Sequence, residues 1–175
     1  MLTPSSMNYF DLFEIPIQFA VNTAELKKKY LSLSRKFHPD FFTHEEQEMK
    51  ELALENSSSL NKAWQIFQNP LLTLQYSLNQ LGIIQENDNP TLPAAFLQEM
   101  MEINELLMTE EPAEIEECKK QIKKLEDKLS AEVENILAKN KAVDASNPEL
   151  EKIRDYYYKR KYLDRIQKRI EQISH

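Results

Sequence analysis

The residues with the clearest chemical potential are His38-Pro39-Asp40, which stand between two stretches of helical character. Proline lacks an amide donor and clashes in a helix interior, so Pro39 ends the preceding helix and stiffens the turn. The Asp40 carboxylate then projects from a constrained loop, as an acceptor suited to a partner's guanidinium. A plainer reading of the same residues is a helix–helix loop whose Asp40 caps the next helix. The sequence before the loop is basic: Lys27, Lys28, Lys29, Arg35 and Lys36 occur between Leu26 and Pro39 with no acid among them. On a helical wheel Lys28 and Arg35 oppose Tyr30 and Phe37, with Leu31 and Ser32 nearby. After the loop the sign reverses, and Asp40, Glu45, Glu46, Glu48, Glu51 and Glu55 meet only Lys50. A basic helix running into the loop is a docking surface for an acidic partner, or else an ordinary solvated face.

A second set of residues suggests binding rather than reaction. Phe96, Met100, Ile103 and Leu107 form one apolar stripe at helical spacing, with Leu106 at its margin. Leu97, Met101 and Met108 form another stripe on a different side, edged by Glu102 and Glu105. One stripe is enough for a helical bundle. The second is therefore a candidate exposed apolar–acidic patch, or it covers a neighbouring domain or widens the core face. No cation occurs from Ala63 through Cys118, so such a patch suits a basic client edge.

The elements that position these groups read as helices throughout. The chain has 175 residues, 41% hydrophobic and 29% charged, and a single glycine, Gly82. Phosphate loops, dinucleotide fingerprints and Asn-Gly hairpins need glycine at fixed places, so all are excluded. An all-α fold is expected. Prolines at 16, 39, 70, 93, 112 and 148 leave windows of helical length, which predict helices at about 8–13, 24–37, 45–68, 70–81, 93–109, 113–139 and 148–173. Asn69-Pro70 and Asn147-Pro148 read as an N-cap followed by proline at the first helical position, Thr23 as a further cap, and Gly82 as a stop. Leu26, Tyr30, Leu33 and Phe37 share a face, as do Met49, Leu52, Ala53, Leu60, Ala63, Trp64 and Phe67, which predicts an antiparallel hairpin. Ile115, Cys118, Ile122, Leu125, Leu129, Val133 and Ile136 recur three and four apart. That period fits an antiparallel three-helix bundle or an intermolecular coiled coil. The polar stretch Ile83–Thr91 reads as a linker, dividing the chain into domains at 7–82 and 93–175 joined by 83–92.

Residues 8–76 resemble the J domain of DnaJ-type co-chaperones, in the NYFDLF opening, the basic second helix, His38-Pro39-Asp40 and the segment LNKAWQIFQNPL. The Gly/Phe-rich segment and CxxC repeats of general DnaJ proteins are missing. With AAFLQEMMEINELL opening the bundle and YKRKYLDRI near its end, the whole is similar to the HscB-type co-chaperones of iron–sulfur cluster assembly. The resemblance implies no catalytic residue and no cofactor. It implies a DnaK/HscA-type ATP-dependent chaperone bound by His38, Pro39, Asp40, Lys27, Lys28, Leu31 and Arg35. It further implies an IscU-type iron–sulfur scaffold protein held by Leu97, Met101, Glu102, Glu105, Lys161 and Tyr162. The alternative is a J-domain protein whose bundle binds another client or serves a structural assembly. Gln98 stands where the family usually has an apolar side chain, and Lys161 and Thr73 where it usually has arginine; lysine lacks the bidentate geometry of arginine.

Other features carry less. A lone cysteine, Cys118, can form neither an internal disulfide nor a cysteine zinc site, and its place in an apolar stripe reads as core. His38 and His44 without a third ligand make a poor metal site. The basic stretch 159–169 interleaves acids and apolar residues, which fits the outer side of a bundle helix better than nucleic-acid binding, and the net charge of −7 points the same way. No run approaches the roughly 18 apolar residues of a membrane span, and MLTPSSM lacks the pattern of a leader, so the expectation is cytoplasmic. Met7 is a candidate start. Tyr156-Tyr157-Tyr158 distribute around a helix, so at most part of the run is expected to be buried.

Overall fold

A computed structural model describes residues 8–43, 45–85, 87–88, 90–139 and 149–173. Met7, His44 and the Asn147-Pro148 cap lie outside the described residues. Among those residues all regular structure is helical: α1 (Tyr9–Leu12), α2 (Thr23–Lys36), a 3₁₀ turn (Pro39–Phe42), α3 (Gln47–Phe67), α4 (Pro70–Gln80), α5 (Ala94–Leu107), α6 (Pro112–Lys139) and α7 (Leu150–Ile173). They form two compact units, described residues up to Gly82 in the first and those from Ile83 onward in the second.

In the first unit α2 and α3 run antiparallel. Tyr30 stacks on Trp64 at 5.0 Å between ring centroids, and its hydroxyl donates to Asn61 Oδ1 at 2.9 Å. Leu26, Leu60, Ala63 and Phe67 close with Phe10 and Phe13 into one buried core, against which Tyr30, Leu33, Phe37 and Trp64 pack half-buried. Removing a ring such as Phe67 from this core would cost about 3–5 kcal/mol in lost burial and cavity. α4 pins α1: the Tyr76 hydroxyl accepts from the Tyr9 amide at 2.8 Å while the two rings stack at 4.8 Å. Burial pushes the Tyr76 phenol up, and the Tyr9 amide partly offsets that shift.

Asparagines cap α1, α2 and α4, with one correction to the expected residue. The α2 cap is Asn22, whose Oδ1 accepts from Ala24 and Glu25, and Thr23 is already the first helical residue. Asn69 caps α4 as expected, with Oδ1 accepting from Leu71 and Leu72. Gly82 follows the α4 C-cap at φ +68°, where a side chain would be strained. Thr73, which departs from the arginine usual in the similar family, is buried, and its hydroxyl donates to the Ile66 carbonyl at 3.1 Å. A second correction concerns α3: Met49 and Leu52 share the core face in sequence yet are exposed. The register that sets Tyr30 against Asn61 and Trp64 brings the 3₁₀ turn, not another turn of α2, opposite these two residues.

The second unit is an up–down–up bundle. Ser130 of α6 lies by Tyr156 of α7, and Glu126 pairs with Arg160 and accepts from Gln167 at 2.9 Å, so α6 and α7 are antiparallel. Phe96 meets Tyr162 and Asn104 meets Arg169, so α5 and α7 run the same way. Phe96, Met100, Ile103 and Leu107 of α5 enter the common core with Ile115, Cys118, Ile122 and Leu129 of α6 and Leu163, Ile166 and Ile170 of α7. Of the tyrosine run, Tyr157 and Tyr158 are buried and Tyr156 is half-buried against the core, more than a distribution around the helix suggests.

Candidate functional site

The corner between α2 and α3 is ordered by its own backbone. α2 ends at Lys36, the His38 amide donates back to the Arg35 carbonyl at 3.4 Å, and Pro39 opens the 3₁₀ turn. His38 Nδ1 accepts from the Asp40 amide at 3.3 Å, and the Phe41 amide donates to the His38 carbonyl at 3.1 Å. The His38 ring also stands beside the carboxylate, with Nδ1 3.6 Å from Asp40 Oδ2. The carboxylate is open to another partner, with 83% of the Asp40 side chain exposed and 51% of His38. Asp40 does not cap the following helix: His38 caps the 3₁₀ turn, and Glu46 stands at the α3 cap without a side-chain bond.

The outward face of α2 presents Lys27, Lys28, Leu31 and Arg35, all exposed. Two other cations counted in the sequence have different work. Lys29 Nζ donates to the carbonyls of Phe13 and Glu14 at 2.8 and 3.1 Å, closing the chain after α1 where Glu14 adopts φ +51°. Lys36 lies over the Phe37 ring at 5.6 Å.

In the second unit the α5 stripe that does not enter the core is exposed: Leu97 by 39%, Met101 by 63% and Met108 by 73%. Leu97 shares a groove of about 400 Å³ with Lys161 and Tyr162 of α7. Tyr162 meets Phe96 edge-on at 6.0 Å, and Lys161 Nζ lies 5.8 Å from the centre of the Tyr157 ring. Glu102 is not brought to this groove. It accepts from Gln98 Nε2 at 3.2 Å and lines a separate groove of about 300 Å³ beside Lys124 and Lys128 of α6. Met101 and Glu105 are exposed on α5 and line neither groove.

Of the groove residues that escape sequence reasoning, Arg165, Tyr158 and Asp88 carry polar groups into it. Arg165 lines the Leu97 groove one turn after Lys161, a spacing of four that could have signalled it. Tyr158 and Asp88 also line it, with the phenol donating to Asp88 Oδ2 at 2.9 Å. Nothing local announces a bond across 70 residues. Burial, then the Asp88 carboxylate, pushes the Tyr158 phenol up to about 12. The same carboxylate accepts from the Gln85 amide at 2.8 Å, so the stretch read as a linker is tied to α7 around Asp88.

Among the described residues no group of three His, Cys, Asp or Glu could hold a metal ion. Cys118 is buried, and desolvation pushes its thiol up, away from the reactive thiolate. Among the described residues no helix is long and apolar enough to cross a membrane.

Comparison with known proteins finds relatives by sequence and by fold. Residues 92–171 match the family described as the HSCB C-terminal oligomerisation domain. The co-chaperone protein HscB homolog of Colwellia psychrerythraea is 34% identical over 102 residues, which span 58% of this chain and 58% of that relative. The crystal structure of the human co-chaperone protein HscB superposes with a TM-score of 0.80 at 28% identity, covering 95% of this chain and 82% of that one. The chaperone HscB from Vibrio cholerae gives a TM-score of 0.74 at 25% identity, covering 96% of this chain and 98% of the other.

Proposed function

We propose that this chain, which belongs to the HscB-type co-chaperones, stimulates the ATPase of a DnaK/HscA-type chaperone through its His38-Pro39-Asp40 corner and delivers an IscU-type iron–sulfur scaffold protein to it. The observation that carries this reading is the exposed Asp40 carboxylate, displayed on a hydrogen-bonded turn at the end of a helix with a basic outward face. A carboxylate held this way can form a charge-assisted pair with a partner arginine without first paying to order its own loop. Lys27, Lys28, Leu31 and Arg35 would contact the acidic partner alongside it. Hydrolysis takes place in the chaperone. This chain acts by favouring the hydrolysis-competent state of its partner, with no catalytic group or cofactor of its own, and works in the cytoplasm.

The division of labour puts the J domain at 7–82 and the client-binding bundle at 93–175, joined by 83–92. Leu97, Met101 and Tyr162 supply apolar contact to the scaffold. Glu102 and Glu105 flank the stripe on one side and Lys161 on the other, so the client edge that fits is apolar at its centre and carries both signs of charge. The name of the family matched by residues 92–171 favours a second reading, in which the exposed α5 stripe serves self-assembly instead. The test is chaperone ATPase measured with and without the scaffold, together with the mass of the chain in solution. Stimulation that rises further when scaffold is added is the expected result. A chain that self-associates through the stripe and leaves the scaffold unbound would favour the second reading.

A further inference from the structure

The corner that displays Asp40 displays one more side chain that neither charge nor the tripeptide accounts for. Phe41 is 73% exposed, as exposed as any large apolar side chain described in the protein. Single exposed apolar residues are common and need no function. This one differs in that its backbone is held. Its amide is hydrogen-bonded to the His38 carbonyl, its backbone belongs to the 3₁₀ turn, and its ring lies edge-on to the His38 imidazole at 6.1 Å. A phenyl group displayed on a held backbone beside an exposed carboxylate has apolar area ready for burial and little backbone entropy left to lose.

Resting on the co-chaperone reading above, we propose that Phe41 is an apolar anchor of the chaperone-facing surface, and that the DnaK-type partner receives it in an apolar recess next to the arginine that meets Asp40. The argument for this occupant is continuity: Phe41 follows Asp40 in the chain and shares its turn, so a partner seated on the carboxylate covers the ring as well. The surface then combines two kinds of attraction. The lysines and arginine of α2 act through charge and weaken with salt, whereas burial of the ring does not.

That difference gives the test. ATP hydrolysis by a purified DnaK-type chaperone that responds to the wild-type chain is titrated with full-length variants at about 0.05 M and about 0.5 M salt. Phe41→Ala is expected to raise the half-saturating concentration about tenfold at both salt levels while the plateau is kept. Phe41→Leu should recover most of the loss. Leu54→Ala, which removes a similarly exposed apolar side chain from α3, should behave as wild type. Wild-type half-saturation by Phe41→Ala would overturn the inference. So would a Phe41→Leu variant as poor as alanine, because the ring would then act only by orienting His38. Asp40→Asn run in parallel separates the two levels: lost stimulation with an indifferent Phe41 sinks the anchor alone, and retained stimulation sinks the co-chaperone reading together with the anchor. Helical content and thermal unfolding of each variant confirm that the turn change leaves the fold intact.

Discussion

The corner of the first unit and the α5 face of the second present their chemistry in opposite ways. The corner concentrates it in four consecutive residues, on a turn whose geometry comes from its own amides and from His38. The α5 face spreads it over two helices more than fifty positions apart in sequence, and the groove between them exists only once α7 packs beside α5. A site of the first kind is broken by one atom. A site of the second kind loses affinity in increments, because each residue contributes part of the buried area.

The largest effect expected from that contrast is at Asp40. Asp40→Asn removes the charge and keeps the shape, and it should abolish ATPase stimulation while scaffold binding stays within about twofold, a change too small to signify a lost contact. Calorimetric titration of the scaffold beside the ATPase assay reads both. Next comes the apolar stripe: Leu97→Ala combined with Met101→Ala should weaken scaffold binding by about 1–4 kcal/mol and leave stimulation without scaffold in place. An equal loss of both activities in either variant would erase the distinction between the regions.

Smaller effects sharpen the account of the groove. Tyr158→Phe removes a part-buried hydrogen bond to Asp88 and should cost about 1 kcal/mol in urea unfolding. The pH dependence has a definite sign. A phenol raised to about 12 in the folded chain favours folding below its unfolded value, and that contribution is lost as pH rises through 12. Wild type should therefore lose stability between about pH 10 and 12 more steeply than Tyr158→Phe does. The smallest expected change is a few-fold gain in scaffold affinity for Lys161→Arg, since a guanidinium can make two parallel bonds where lysine makes a point contact. Unchanged affinity would mean that Lys161 does not touch a carboxylate.

Much of the architecture is legible in the sequence, because proline positions and apolar spacing report local chemistry. The Asn69-Pro70 cap, the Gly82 stop and the core faces of α2, α5 and α6 all follow from residues within one or two turns of each other. Where the reading misses, the deciding contact is distant. Met49 and Leu52 sit on the right face of α3, but periodicity cannot say that α2 stops before reaching them. Lys29 looks like one more docking cation until α1 folds back and offers it two carbonyls. That Glu102 also borders Lys124 and Lys128 is likewise invisible until α6 packs beside α5. Asn22 and Thr23 are both good caps, and only backbone geometry chooses between them.

The central claim is that one chain carries both surfaces and joins two partners. The most direct measurement mixes two full-length variants, Asp40→Asn and Leu97→Ala/Met101→Ala, and follows chaperone ATPase as scaffold is added. If a single chain must bridge, the mixture shows no more scaffold-dependent increment than the second variant gives alone, well short of wild type at the same scaffold concentration. Recovery of the wild-type increment in the mixture would contradict the account.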